Sequence, residues 1–127
     1  MNKNITIRKS QSVDSFFQDA SKHPLLTIEE EVMLAKRVQQ GDENAMKRLY
    51  EANLRFVVSV AKQYQNRGKS MEELIEAGNK GLELAARRFD PQRGFKFIAY
   101  AVWFIRASIL AFLETSKNNV NISNLTI

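Results

Sequence analysis

The sequence predicts an all-α protein, a compact bundle of about four to five helices. Only two prolines and five glycines occur in 127 residues. Apolar residues recur mostly at spacings of three and four, the period of one helix face. Twice, at Thr27/Glu30 and Ser70/Glu73, a hydroxyl residue precedes a glutamate by three positions, the reciprocal capping pattern that opens a helix. The apolar share of 44% and charged share of 26% belong to a chain that folds, and its length suits one core. No convincing strand is visible.

Taken in order, residues 1–11 read as a loose arm. Ser12 caps a short helix carrying Val13, Phe16 and Phe17, which His23 and Pro24 interrupt. From Thr27 a helix runs with the apolar stripe Ile28, Val32, Ala35 and Val38, and Gly41 supplies the left-handed stop. The next stretch, from about Glu43 to Asn66, places Met46, Leu49, Leu54, Val57, Val58, Ala61 and Tyr64 on its inner side, and Gly68 ends it. Ser70 opens a helix whose stripe is Met71, Leu74, Ile75, Gly78, Leu82, Ala85 and Phe89, closed by Asp90 and Pro91. Gly78 and Gly81 lie inside it without the Lys-Ser or Lys-Thr of a phosphate loop. Close helix packing is their plainest use, at a propensity cost of about 0.8–1 kcal/mol each. The last helix starts near Phe95 or Lys96 and is expected to reach Glu114. Residues 115–127 form a polar tail with too little burial to offset ordering, so the globular unit is 12–114.

Several function classes fall away. Cysteine is absent, which removes disulfides, thiolate metal sites and thiol nucleophiles. His23, the one histidine, stands beside a proline with no catalytic partner or metal-type spacing around it. No enzyme activity, cofactor or metal is expected. Glu72, Glu73, Glu76 and Glu83 read as a polar helix face, with Glu76–Lys80 and Glu83–Arg87 at pairing distance along the helix. The N-terminal residues lack the apolar run of a secretion signal, so cytosolic residence is expected. Phe95 to Leu113 approaches membrane-spanning length but contains Lys96 and Arg106, and a central arginine costs about 2.5–3.5 kcal/mol even on a permissive scale. A half-buried bundle helix explains the same residues, and no membrane partner is expected.

A net charge of +5 and a pI near 9.6 favour a polyanionic partner without identifying one. The segment Phe89 to Arg106 sharpens this, because Phe95, Phe97, Tyr100, Trp103 and Phe104 are interleaved with Arg93, Lys96 and Arg106 and preceded by Arg87 and Arg88. On one helix Phe97, Tyr100, Ala101, Phe104 and Ser108 share a face, and Ala99, Trp103, Arg106 and Leu110 share another. Both faces do not fit one small core. Rings left on a basic surface form a stacking platform for unpaired bases, at about 1–3 kcal/mol per stack. The alternative, all rings packed inside, stays open on spacing alone.

The stretches TIEEEVMLAKRVQQGDENA (Thr27 to Ala45), EANLRFVVSVAKQYQNRG (Glu51 to Gly68) and ELIEAGNKGLELAARRFDPQRGFKFIAYAVWFIRASI (Glu73 to Ile109) closely resemble regions 1.2 and 2 of sigma-70 family transcription initiation factors. The resemblance covers about Ser12 to Glu114. It implies core RNA polymerase, through the clamp coiled coil of its largest subunit, and promoter DNA as partners. It further implies that the last helix melts the minus-ten element. By position Phe95, Phe97, Tyr100 and Trp103 resemble a cage for a flipped adenine, flanked by Phe89 and Ala99, while Trp103 with Phe104 resembles a wedge at the duplex edge. Asn53 and Arg55 resemble residues holding downstream bases or backbone, and Arg93, Lys96 and Arg106 are phosphate-contact candidates. Glu73, Glu76 and Asn79 are the candidates for docking on polymerase.

This sequence also departs from the family pattern. Ala107 replaces a glutamine that reads the duplex, Ala111 a common basic residue, and Phe104 a tryptophan. On the docking side Ala77 replaces a glutamate, and Lys80 and Glu83 replace apolar residues. Duplex readout is therefore expected to be weakened. A polymerase-clamp competitor that opens no DNA is the second reading, and a general single-strand binder the third.

Overall fold

The computed structural model describes residues 13–94 and 96–118, with side chains as far as Thr115. Five helices follow one another: α1 (Val13–Ala20), α2 (Ile28–Gln39), α3 (Glu43–Lys62), α4 (Met71–Arg88) and α5 (Phe97–Asn118). A 3₁₀ turn, Pro91–Arg93, joins the last two. The described residues contain no strand, so the all-α bundle stands as expected.

Local chemistry sets the boundaries. Thr27 and Glu30 form their reciprocal capping box at α2, and Ser70 and Glu73 do so at α4. Asp42 caps α3 by accepting from the backbone N–H groups of Asn44 and Ala45. α3 ends at Lys62, four residues before the expected stop. There Gln63 and Tyr64 donate to carbonyls only three residues back, and Asn66 then turns left-handed at φ 68°. α5 runs past Glu114 to Asn118, so helical order enters the segment whose composition reads as a tail.

The core gathers Phe16, Leu49, Val57, Val58, Leu74, Ile75, Leu82, Phe97, Ile105 and Ile109, all with under 2% exposure or at 2%. Glycine lets α4 and α5 touch. A Cβ on Gly81 would collide with the Phe104 carbonyl and stand 2.8 Å from Cα of Ile105. One on Gly78 would lie 2.8 Å from Cγ1 of Val57 and 3.3 Å from Cγ2 of Ile105, where α3, α4 and α5 converge.

Two readings need correction. Ile28, assigned to an inner stripe, is 54% exposed; it is the first residue of α2, where Leu34, Ala35 and Val38 carry the burial instead. Glu72, assigned to the polar face of α4, is buried, with Oε2 lacking a hydrogen-bond partner. At about 100° per residue it lies about 20° from Asn79 and about 40° from buried Ala86, on the inward flank, while exposed Glu76 lies about 40° to the other side and Glu73 about 100° away.

α2 also fixes the connector between α4 and α5. The Gln39 amide donates to the carbonyls of Ala86 (3.0 Å) and Phe89 (2.9 Å), satisfying the open C-terminal end of α4. Across the connector, the Phe97 backbone N–H and the Lys96 charge at the start of α5 both favour an ionised Glu31 carboxylate. Burial nevertheless raises the Glu31 pKa above its usual 4.5, because desolvation outweighs them.

Candidate nucleic-acid interface

Helical period sorts the aromatic residues of α5 into depths. Phe97 joins Ala101, Ile105 and Ile109 on the stripe facing α3 and α4, all with 0% exposure. Tyr100 and Phe104 are half-buried on one flank. Trp103 points outward at 72% exposure. Rings therefore form a graded series from the interior to solvent: Phe97 meets Phe89 edge-on at 5.3 Å, Phe89 meets Tyr100 at 5.9 Å, and Tyr100 meets Phe104 at 4.9 Å.

Cations border the outer rings. The Arg88 guanidinium lies 5.9 Å from the centre of the Phe104 ring. Arg106 is held in place, donating from Nη1 to Oε1 of Gln63 at 2.7 Å and to the Tyr64 hydroxyl at 3.3 Å. Arg93 is exposed and loosely paired with Asp90 at 3.9 Å. Lys96 is exposed at the start of the helix. The result is one uncovered indole, two partly covered rings and several solvent-facing cations along the N-terminal half of α5 and the turn before it.

The expected site residues separate accordingly. Tyr100, Trp103, Phe104, Ala99, Arg93, Lys96 and Arg106 present at least part of their surface to solvent. Phe97 (0%) and Phe89 (5%), expected as walls or neighbours of a base cage, are buried and support Tyr100 from beneath. Asn53 is also buried, at 2%, and its amide donates back to the Leu49 carbonyl of its own helix. Arg55 is half-buried, ties the His23 carbonyl to α3 at 2.9 Å, and leaves Nε without a partner. Phe95 lies outside the described residues. On α4, Glu73 and Glu76 are exposed, Glu73 serving also as the cap of its helix, while Asn79 is half-buried with Oδ1 unpartnered.

Arg88, Gln63, Tyr64, Gln39 and Glu31 contribute to this part of the molecule and were not marked by the sequence as site residues. Arg88 is legible in the sequence among the cations beside the aromatic segment, without a site role of its own. The other four act across 42 to 66 residues of chain, from Tyr64 and Arg106 through Glu31 and Phe97, and no local pattern encodes such pairings.

The Sigma-70 region 2 family matches residues 49–118, and the family described as Sigma-70 factor, region 1.2 matches residues 12–44. The chain is 43% identical over 116 residues to RNA polymerase sigma factor SigA of a Bacillus species, covering 91% of this chain and 31% of that protein. It is 46% identical over 115 residues to RNA polymerase sigma factor RpoS of Coxiella burnetii, covering 91% and 33%. SigA of Clostridium acetobutylicum is 42% identical over 122 residues, covering 93% and 32%. The chain thus spans about a third of the length of these curated relatives. With regions 1.2 and 2 matched in sequence order over an all-helical bundle, the chain belongs to the sigma-70 family.

Proposed function

We propose that this chain acts in transcription initiation in the cytosol, docking on core RNA polymerase and capturing unpaired non-template bases of the minus-ten promoter element on α5. It does so by binding, with no chemical step of its own. The observation that carries the reading is Trp103, a 72% exposed indole on the helix that also carries Tyr100, Phe104 and Arg106, with Lys96 and Arg93 just before it in the chain. A large exposed ring is costly to leave in water and well suited to stacking on a base. Unstacking a base costs a few kcal/mol, which stacking on several rings at about 1–3 kcal/mol each offsets. Phe97 and Phe89 enter this reading as the buried support of Tyr100, and the exposed Glu73 and Glu76 as contacts to the polymerase clamp.

The test is binding of a fluorescent single-stranded minus-ten oligonucleotide in the presence of core polymerase. W103A and Y100A together remove two stacks and are expected to weaken binding by about 2–6 kcal/mol, while binding to polymerase itself persists. Unchanged oligonucleotide affinity would defeat the assignment. The clamp-competitor reading draws on Ala107 and Ala111, which leave the outer face of α5 without duplex-reading side chains. It is distinguished by a transcription assay in which the chain lowers initiation by a full-length sigma factor and supports none alone.

A further inference from the structure

From the outward face of α5 we infer that the chain self-associates through this helix, as an antiparallel two-fold dimer that covers the base-stacking surface. The inner stripe of α5 is spent on the core, yet its outer side carries a second regular pattern. Lys96, Tyr100, Trp103, Ala107, Leu110 and Glu114 are spaced alternately by four and three, the 3.5-residue seam along which two helices pack. Lys96, Trp103, Ala107, Leu110 and Glu114 are exposed, Trp103 at 72% and Leu110 at 40%, and Tyr100 is half-buried. A soluble helix with an apolar seam on each side has a face that another surface is suited to cover.

Size and charge identify that surface as a second copy. In a two-fold antiparallel pairing, whatever residue meets its counterpart is met by it in return. With the axis at the level of Ile105, Trp103 faces Ala107 of the other copy, Tyr100 faces Leu110, and Ala99 faces Ala111. The bulkiest side chain of the seam thus meets a methyl group, and alanines flank the closest approach. The same register sets Lys96 opposite Glu114, so each end of the pair carries opposite charges. A parallel pairing would instead stack Trp103 on Trp103 and Lys96 on Lys96. The departures Ala107 and Ala111, which remove long polar side chains from this face, are what open it to a partner helix.

The dimer stands on the face of α5 alone, but its consequence rests on the proposed function: a base and a second copy compete for Trp103. Sedimentation of the full chain from about 1 μM to about 1 mM, a range that brackets weak self-association, is expected to show a monomer–dimer equilibrium. A107E places a charge against Trp103 of the other copy and should weaken it at least about tenfold, or 1.4 kcal/mol. K96E and E114K should each weaken it through like-charge contacts, and K96E/E114K together should restore it. Circular dichroism of each variant establishes that it is folded. A chain monomeric throughout the range overturns the proposal, as does a dimer indifferent to A107E and to the charge exchange. Co-sedimentation with anionic phospholipid vesicles without self-association would assign the face to a lipid surface and likewise overturn it. Single-stranded minus-ten DNA should dissociate the dimer. A dimer that forms while DNA binding fails even with core polymerase present sinks the proposed function and leaves the self-association standing, whereas DNA binding by the intact dimer overturns the competition.

Discussion

The Tyr50 hydroxyl of α3 donates to Oε1 of Glu83 on α4 at 3.4 Å, and the other carboxylate oxygen accepts from Arg87 at 2.6 Å. Burial, followed by the Glu83 charge and hydrogen bond, pushes the Tyr50 pKa up to about 12 from 10.0. Because the folded state favours the neutral phenol, its contribution is fully present below pH 10 and is lost as pH rises through about 12. Y50F lacks both the bond and the titration. At neutral pH it is expected to be less stable by about 0.5 kcal/mol, the low end for a long, partly exposed hydrogen bond. As pH rises from 10 towards 12 the difference should close and then reverse in urea unfolding, because only the wild type must bury a charge or give up its proton preference; a constant difference would contradict this account. Sequence spacing revealed the Glu83–Arg87 pair, since both lie on one helix. It did not reveal Tyr50 as their neighbour. Phe97 and Asn53 show the same limit from the opposite side: resemblance supplied a role for each, while depth in the fold, fixed by elements distant in sequence, leaves both buried.

At the level of elements, α4 and α5 are joined by contact so close that Gly81 admits no methyl group. Alanine favours a helix interior over glycine by about 1 kcal/mol, so propensity alone predicts that G81A stabilises α4. The Phe104 carbonyl and Ile105 Cα are backbone atoms and move only with the helix. Steric cost of about 1–3 kcal/mol for overpacking therefore wins or at least cancels the propensity gain. G81A is expected to lower the urea midpoint; a raised midpoint would contradict the close approach. The glycines were read from sequence as packing residues, correctly, because nothing else in their surroundings used them. The α2 brace was not readable. Q39A removes the donor shared by Ala86 and Phe89 and exposes the end of α4. Hydrogen exchange should quicken at Arg93 and Gly94, whose N–H groups hold the 3₁₀ turn, while Val57 and Val58 in the core of α3 keep their protection. Equal acceleration at all four amides would mean global destabilisation and no local brace.

Across the whole molecule, the helical bundle and its order of elements were legible because each helix carries its own caps and apolar period: Thr27 with Glu30 and Ser70 with Glu73 form in the structure as written in the chain. Which rings of α5 stay outside was not legible, since the helix is apolar on both sides and only packing against Gly78 and Gly81 selects the inner one. The same distinction between a local arrangement and a global property applies to charge. A net +5 attracts any polyanion, whereas the proposed function assigns phosphate contacts to Arg93 and Lys96 in particular. Salt dependence separates these. For single strands the logarithm of affinity falls with the logarithm of salt by about 0.7 per neutralised phosphate. In anisotropy titrations of the chain with a labelled minus-ten strand, R93A and K96A should each reduce that slope by about 0.7. K47A, which removes an exposed cation from α3, lowers the net charge by the same amount and should leave the slope unchanged. Equal losses in all three variants would mean that binding follows overall charge, and the exposed rings of α5 would then have no electrostatic frame around them.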